Sequence, residues 1–317
     1  MVANVDREAP ITDLIEGHPA LVLVCCALLA GPSCGDHSPA QMADTGVCAV
    51  EPPPAVLDAD ALSARLASAL EEHSAAVVVQ DDVLGEGPDG WDSDPRYPKN
   101  STNCITWVQQ VISSAYADTP SSRRRAMDAL RYYGSTVSFG TRKHFVDRWI
   151  ALEPGPLVPL LHAGCAPDEY HHVQLDLDRF AAARGYSCPL FEPSSDTVDF
   201  QYLSPRATTR CAASLPPGHY IVFPVASRMY LRIHNESGPM GQVHGAVLTV
   251  EGGHATISHA SVDRGYVETL PLSDYIASMQ GGHEGYTLYT LDPAWTPPAL
   301  PPMLRIDECW GVCRPPT

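Results

Sequence analysis

Between residues 243 and 261 the chain reads VHGAVLTVEGGHATISHAS, and no other segment restricts the fold as much. Gly252-Gly253 supplies the two positive-φ residues that a tight hairpin turn needs, and alternating runs flank it on both sides. Glu251 is therefore expected opposite His254, and counting outward in step sets His259 opposite Ala246. His244 lies two residues from Ala246 on the same strand, so the two histidines become diagonal neighbours on one face, about 7–8 Å apart at Cα. At that range the imidazoles can meet. The rest of the face, Ala246, Leu248, Val250, Ala255 and Ile257, is apolar, which marks it as a core-facing surface on which a helix can pack.

Short alternating runs recur between 173 and 290 in VQLDLD, HYIVFPV, MYLRIH and YTLYTL, separated by turns that carry Gly and Pro, as an antiparallel sheet requires. Upstream the period changes. Leu62, Leu66, Ala69 and Leu70 share one helical stripe with Asp58 as the cap, and residues 82–100 hold so much Gly, Pro, Asp and Asn that they read as a long surface loop. In NSTNCITWVQQVISSAYA at 100–117, Ser101, Thr102 and Asn103 are cap formers, and Ile105, Val108, Ile112 and Ala115 follow at helical spacing. Helices first and strands after is the α+β class. Thirty prolines, roughly 9% of the residues against a usual 5%, exclude a helical bundle.

With 44% hydrophobic residues among 317, the chain can bury the core of one large domain or two small ones. A net charge of −17 repels a phosphate backbone, so nucleic acid is not an expected partner. Residues 20–31, ALVLVCCALLAG, are too short an apolar run for a membrane span and read as the core of a signal peptide. The segment before it carries four acids and one arginine, the wrong balance for a signal peptide, so translation is expected to start downstream of Met1. GPSC at 31–34 resembles a lipoprotein box with Cys34 as the lipidated residue. The organisation expected is a signal or lipoprotein signal over 1–34, a linker over 35–56, a catalytic domain over 57–292 and a Pro-rich extension with a Cys pair over 293–317. An exported, periplasmic or envelope location follows, with a lipid anchor at Cys34 as the form of membrane attachment. A monomer is expected.

Of ten cysteines, seven remain after such a signal: Cys48, Cys104, Cys165, Cys188, Cys211, Cys309 and Cys313. Three disulfides use six, which leaves one thiol. Cys104 stands in the first turn of its helix, where unpaired amides and the helix dipole favour a thiolate. That position suits a nucleophile; it equally suits a small buried residue or half of a disulfide. A thiol followed by two histidines on a neighbouring sheet is an arrangement for nucleophilic catalysis, one imidazole taking the proton and the other orienting it. Metal binding is the alternative use of His234, His244, His254 and His259, but His254 falls on the opposite face and no H-E-x-x-H or C-x-x-C pair accompanies them. No metal or cofactor is expected.

From about 100 to 290 the chain resembles the N-acetylmuramoyl-L-alanine amidase-like proteins allied to the NlpC-type papain-like cell-wall cysteine peptidases. NCITWVQ at 103–109 is similar to their nucleophile helix, LRYYG and TRKHFVDRW at 130–149 to an Arg-Tyr and Ser-Arg-x-His-Phe segment, VHGAVLT and SHAS at 243–261 to their two histidine strands, and VETLPLSDYI at 267–276 to a closing helix. Asn103 replaces the usual Asp, and His219 stands where Gly-Asp is common. The resemblance implies a papain-like α+β fold with N-terminal helices and the nucleophile helix packed on an antiparallel sheet. It implies Cys104 as nucleophile, His244 as base and His259 as the orienting residue, with Arg142, His144 and Trp149 as candidates for the substrate groove. The function implied is hydrolysis of an amide bond in peptidoglycan or its muropeptides. Cys104 is then the unbridged thiol, and Cys309 and Cys313 sit in disulfides near the C-terminus. The stem peptide is expected in a groove between the Cys104 helix and the sheet. Two other functions fit the same residues, a noncatalytic envelope-binding lipoprotein and a cysteine acyltransferase or deamidase.

Overall fold

The computed structural model describes residues 57–79, 101–135, 141–144, 146–176, 195–226 and 244–298. The expected signal, linker and surface loop, Cys48, Cys188, His234 and the Cys309–Cys313 pair lie outside these residues.

Helix α1, Ala59–Glu72, begins at Asp58, whose carboxylate accepts the Ala61 N–H at 2.7 Å, and buries Leu62, Leu66 and Ala69. Two short strands, β1 (Val77–Val78) and β2 (Ser101–Thr102), pair in parallel and lead directly into α2, Cys104–Tyr116. Asn103 caps α2, its side-chain oxygen accepting the Thr106 N–H at 2.8 Å, so the neutral amide does what an aspartate would do at that position. Helix α3, Pro120–Arg131, opens with a reciprocal Thr119–Ser122 capping box and a proline whose missing N–H costs nothing there. Helix α4, Val146–Leu152, and strand β3, Leu157–Pro159, complete the first half.

Strands β4 (Glu169–Asp176) and β5 (Ser195–Tyr202) form a two-stranded ribbon of their own, after which α5, Pro205–Ser214, starts at Ser204. The remaining elements are β6 (Gly218–Ala226), β7 (Ala246–Glu251), β8 (His254–Ser261), β9 (Tyr266–Pro271), helix α6 (Leu272–Ser278) and β10 (His283–Leu291). The main sheet runs β2-β1-β9-β8-β7-β6-β10-β3 and is antiparallel apart from the β1–β2 pair. Helices and an antiparallel-rich sheet make the α+β architecture.

Both faces of this sheet are covered, which is why β6 and β7 read as almost continuous apolar runs. Ile221, Phe223, Val247 and Ala260 face a core built with Leu62, Leu66, Trp107, Val108, Val111 and Ile112 of α1 and α2. Tyr220, Val222, Ala246, Leu248, Val250 and Ile257 face a second core with Ala207, Cys211 and Ala212 of α5 and Leu272 and Tyr275 of α6. Burying side chains of this size is worth about 1.5–3 kcal/mol each. Cys165 and Cys211 form a disulfide that joins the turn before β4 to α5. On the other face, Tyr116 donates a hydrogen bond to the Asp292 carbonyl at 2.6 Å and Trp295 packs edge-on against its ring at 4.7 Å, which ties the end of β10 to α2. Among the described residues no helix is long and apolar enough to cross a membrane.

Candidate active site

The β7–β8 hairpin has the expected register, with Glu251 opposite His254 and Ala246 opposite His259. Gly252 and Gly253 have φ of +56° and +80°, which only glycine adopts without strain, so this turn holds the count in place. Its consequence is that His244 Nε2 lies 3.1 Å from His259 Nδ1, the rings meeting edge to face.

The thiol arrives from the other side of the sheet. Helix α2 packs on the face of Val247, whereas the histidines share the face of Ala246. Helix and strand pack closely at Gly245, where an added Cβ would stand 2.9 Å from Val108 Cγ2 and 3.3 Å from the Cys104 carbonyl oxygen. Gly245 thus lets the first turn of α2 press on the strand at the residue after His244. Cys104 is half-buried and is not part of a disulfide. The helix expected over the histidine face is present, but it is α6 with α5, and Tyr275 of α6 places its ring edge-on to His259 at 5.0 Å between centroids.

Two neighbours of the histidines escaped the sequence reading. Glu268 sits directly across from His259 on β9, and its Oε1 lies 3.2 Å from His259 Nε2. The four-residue turn Val262–Gly265, closed by Gly265 at φ +76°, fixes that pairing, so the counting applied to the Gly-Gly hairpin would have found it. His283, at the start of β10, is close enough to act electrostatically on His244.

Burial, with the neighbouring His259 and His283 adding to it, holds the His244 imidazole well below the usual histidine range. His259 is lowered by burial and pulled partly back by Glu268. His283 is lowered by burial to about 4, with the Met279 backbone opposing. At neutral pH these rings are therefore uncharged, and a neutral His244 is able to accept a proton.

The three groove candidates come from a different segment. Arg142 is buried, with its backbone bridged to Tyr132 at the end of α3. His144 is half-buried just before α4, and Trp149 is a residue of α4 whose side chain lies outside the described ones. His254 is exposed beside the hairpin turn. Among the described residues no group of three His, Cys, Asp or Glu side chains is arranged to hold a metal ion.

Solved structures share this fold. Protein LPG0564 of Legionella pneumophila superposes with a TM-score of 0.63 at 16% identity, over 74% of this chain and 90% of that one. An N-acetylmuramoyl-L-alanine amidase of Bacteroides uniformis gives 0.51 at 14% identity, over 73% of this chain and 99% of its own. No curated protein matches the sequence. The model of the AmiA-like family, described as N-acetylmuramoyl-L-alanine amidase-like, matches residues 80–282, a span that takes in Cys104, both histidines and Glu268. The chain belongs to this amidase-like family.

Proposed function

We propose that the chain is a cysteine hydrolase that cleaves an amide bond in peptidoglycan or its muropeptides, with Cys104 as nucleophile, His244 as base and His259 as the orienting residue. Membership of the amidase-like family supports the reaction class and the substrate class. One observation carries the assignment of residues: the 3.1 Å contact between His244 and His259 sits at the start of β7, where Gly245 brings in the first turn of α2. A cysteine at a helix start over an antiparallel sheet, followed by paired histidines, also supports a papain-like relationship and kinship with the NlpC peptidases.

In the reaction, His244 takes the Cys104 proton and the thiolate attacks the amide carbonyl. Backbone amides at the start of α2 stabilise the tetrahedral oxyanion. Collapse breaks the C–N bond, and the imidazolium returns its proton to the leaving amine. Water, deprotonated by the same imidazole, then hydrolyses the thioester and regenerates the thiol. Arg142, His144 and Trp149 are proposed to line the substrate groove.

The Cys165–Cys211 disulfide supports export, because such bonds persist in oxidising compartments. The protein is proposed to act in the periplasm or cell envelope as a monomer, held by a lipid at Cys34. Digestion of purified muropeptides with mass analysis of the products tests the activity. Cleavage by the wild type and none by Cys104→Ala supports it; cleavage by both, or by neither, overturns it. Globomycin-sensitive processing in cell fractions tests the anchor.

A further inference from the structure

We infer that Glu268 is a positioning residue of this site, holding both imidazoles in the tautomers that leave the His244 lone pair on Nδ1, the nitrogen that His259 does not engage. The inference rests on the proposed pairing of Cys104 with His244 and adds to it the group that makes His244 a base at one defined atom. A carboxylate only accepts, so the 3.2 Å contact requires the proton of neutral His259 to be on Nε2. Nδ1 of His259 is then an acceptor. Across the 3.1 Å contact it can be satisfied only if His244 carries its own proton on Nε2. The order Glu268, His259, His244 therefore fixes the free lone pair without any further group.

The direction of this chain matters when charge appears. Once Nδ1 of His244 accepts the thiol proton, both Nε2 protons stay where they are, and the new positive charge faces a carboxylate through His259. Three other described groups lie near the pair or its carboxylate. Tyr275 of α6 offers His259 a ring edge, and His283 of β10, close enough to act electrostatically on His244, is itself neutral at pH 7. Arg264, whose Nε is 3.8 Å from Glu268 Oε2, is largely exposed and weakly placed to compete. Among the described residues, Glu268 is the carboxylate in ion-pair contact with the pair. Its position is fixed by β-sheet register and not by a loop, since it pairs directly with His259 across β8 and β9.

The test follows the pH dependence of Cys104 alkylation by iodoacetamide, which needs no substrate, in the full chain and in Glu268→Ala, Glu268→Gln, Glu268→Asp and His244→Ala. Glu268→Ala is expected to move the alkylation midpoint up by about one pH unit, toward an ordinary thiol, and to lower kcat about tenfold or more with KM within twofold. Glu268→Gln, nearly the same shape and still an acceptor, is expected to lose the charge effect with a smaller drop in kcat and an unchanged melting temperature. Glu268→Asp should restore part of both. His244→Ala separates the two claims. A shift in His244→Ala with none in Glu268→Ala and Glu268→Gln overturns the role of Glu268 and leaves the nucleophile assignment standing. No shift in His244→Ala overturns the pairing itself, and the role of Glu268 with it.

Discussion

The two faces of the main sheet are built alike and used differently. The face toward α1 and α2 is an apolar core from Val78 to Leu291, and its proposed contribution to chemistry is one residue at its rim, Cys104. The face toward α5 and α6 is equally apolar over Ala246, Leu248, Val250 and Ile257, yet at its end it carries His244, His259 and Glu268 in a line across three adjacent chain segments. The proposed nucleophile and base therefore come from opposite sides of the sheet and approach each other where β7 begins. The lesson is that period 2 sorts side chains between faces, and a site that needs both faces has to be made at a strand terminus.

The largest expected effects test this division directly. Cys104→Ala should abolish turnover, and His244→Ala should abolish thioester formation, since general base catalysis contributes about 10²- to 10⁴-fold. His259→Ala should leave a partial rate, because the base then remains but is disordered. Single-turnover assays on purified wall fragments read the order. Equal and negligible effects of both histidine substitutions would break the picture of a site at the start of β7.

Gly245→Ala comes next. The added methyl would stand 2.9 Å from Val108 Cγ2 and 3.3 Å from a backbone oxygen, and the latter cannot rotate away. The first turn of α2 must shift, and a misplacement of about 1 Å can cost on the order of 10²-fold in rate. Overpacking should also cost about 1–3 kcal/mol of stability. The sharp reading is a kcat deficit far larger than the unfolded fraction at the assay temperature explains. Full activity in a folded Gly245→Ala protein would show that the two faces do not meet there.

Much of this site was legible in the sequence because short-range rules fix it. The Gly-Gly turn sets the register, the register pairs His259 with Ala246, and the cap at Asn103 places Cys104 at a helix start. What was missed depends on long-range packing. Which helix covers which face is not encoded in the hairpin: α6 follows β9 at once and folds onto the histidine face, so Tyr275 and not α2 lies over His259. His283 reaches His244 through strands paired in the order β7-β6-β10, an order that no local pattern specifies. The segment holding Arg142 carries the groove candidates. It is anchored by backbone bonds, Tyr133 N–H to the Thr141 carbonyl and Lys143 N–H to the Arg131 carbonyl, each at 2.8 Å, which buries charged residues that composition alone assigns to the surface.

A third prediction isolates the α5–α6 face. Replacing both Cys165 and Cys211 by Ala removes a cross-link between residues 46 apart, and a loop of that size is typically worth about 2–4 kcal/mol. Because the bridge joins the turn before β4 to α5, hydrogen exchange should rise first in α5 and β6, with α1 and α2 protected as before. Activity per folded molecule should be retained, since neither cysteine touches the histidine pair. Uniform loss of protection on both faces would mean that the sheet transmits the damage and that the faces are one cooperative unit.

The smallest effect is a dependence of stability on pH that arises on the histidine face. His283 has a folded-state pKa of about 4, brought down chiefly by burial, while in the unfolded chain it returns to the ordinary value near 6.5. Between those two values the unfolded state binds more protons, so stability from this residue is fully present above about pH 6.5 and is lost as pH falls toward 4. His244 and His259 are displaced in the same direction and add to the same slope. A neutral substitute at 283 removes one proton-binding group from the linkage without disturbing the Cys104 face, so His283→Gln should flatten the decline in melting temperature across this window and leave the remaining slope to the other two. The comparison is made between pH 7 and pH 4.5, over which the wild type should lose more stability than the variant. An unchanged slope in the variant would show that His283 is accessible to protons in the folded chain and that the histidine face is less dry than its packing against α6 implies.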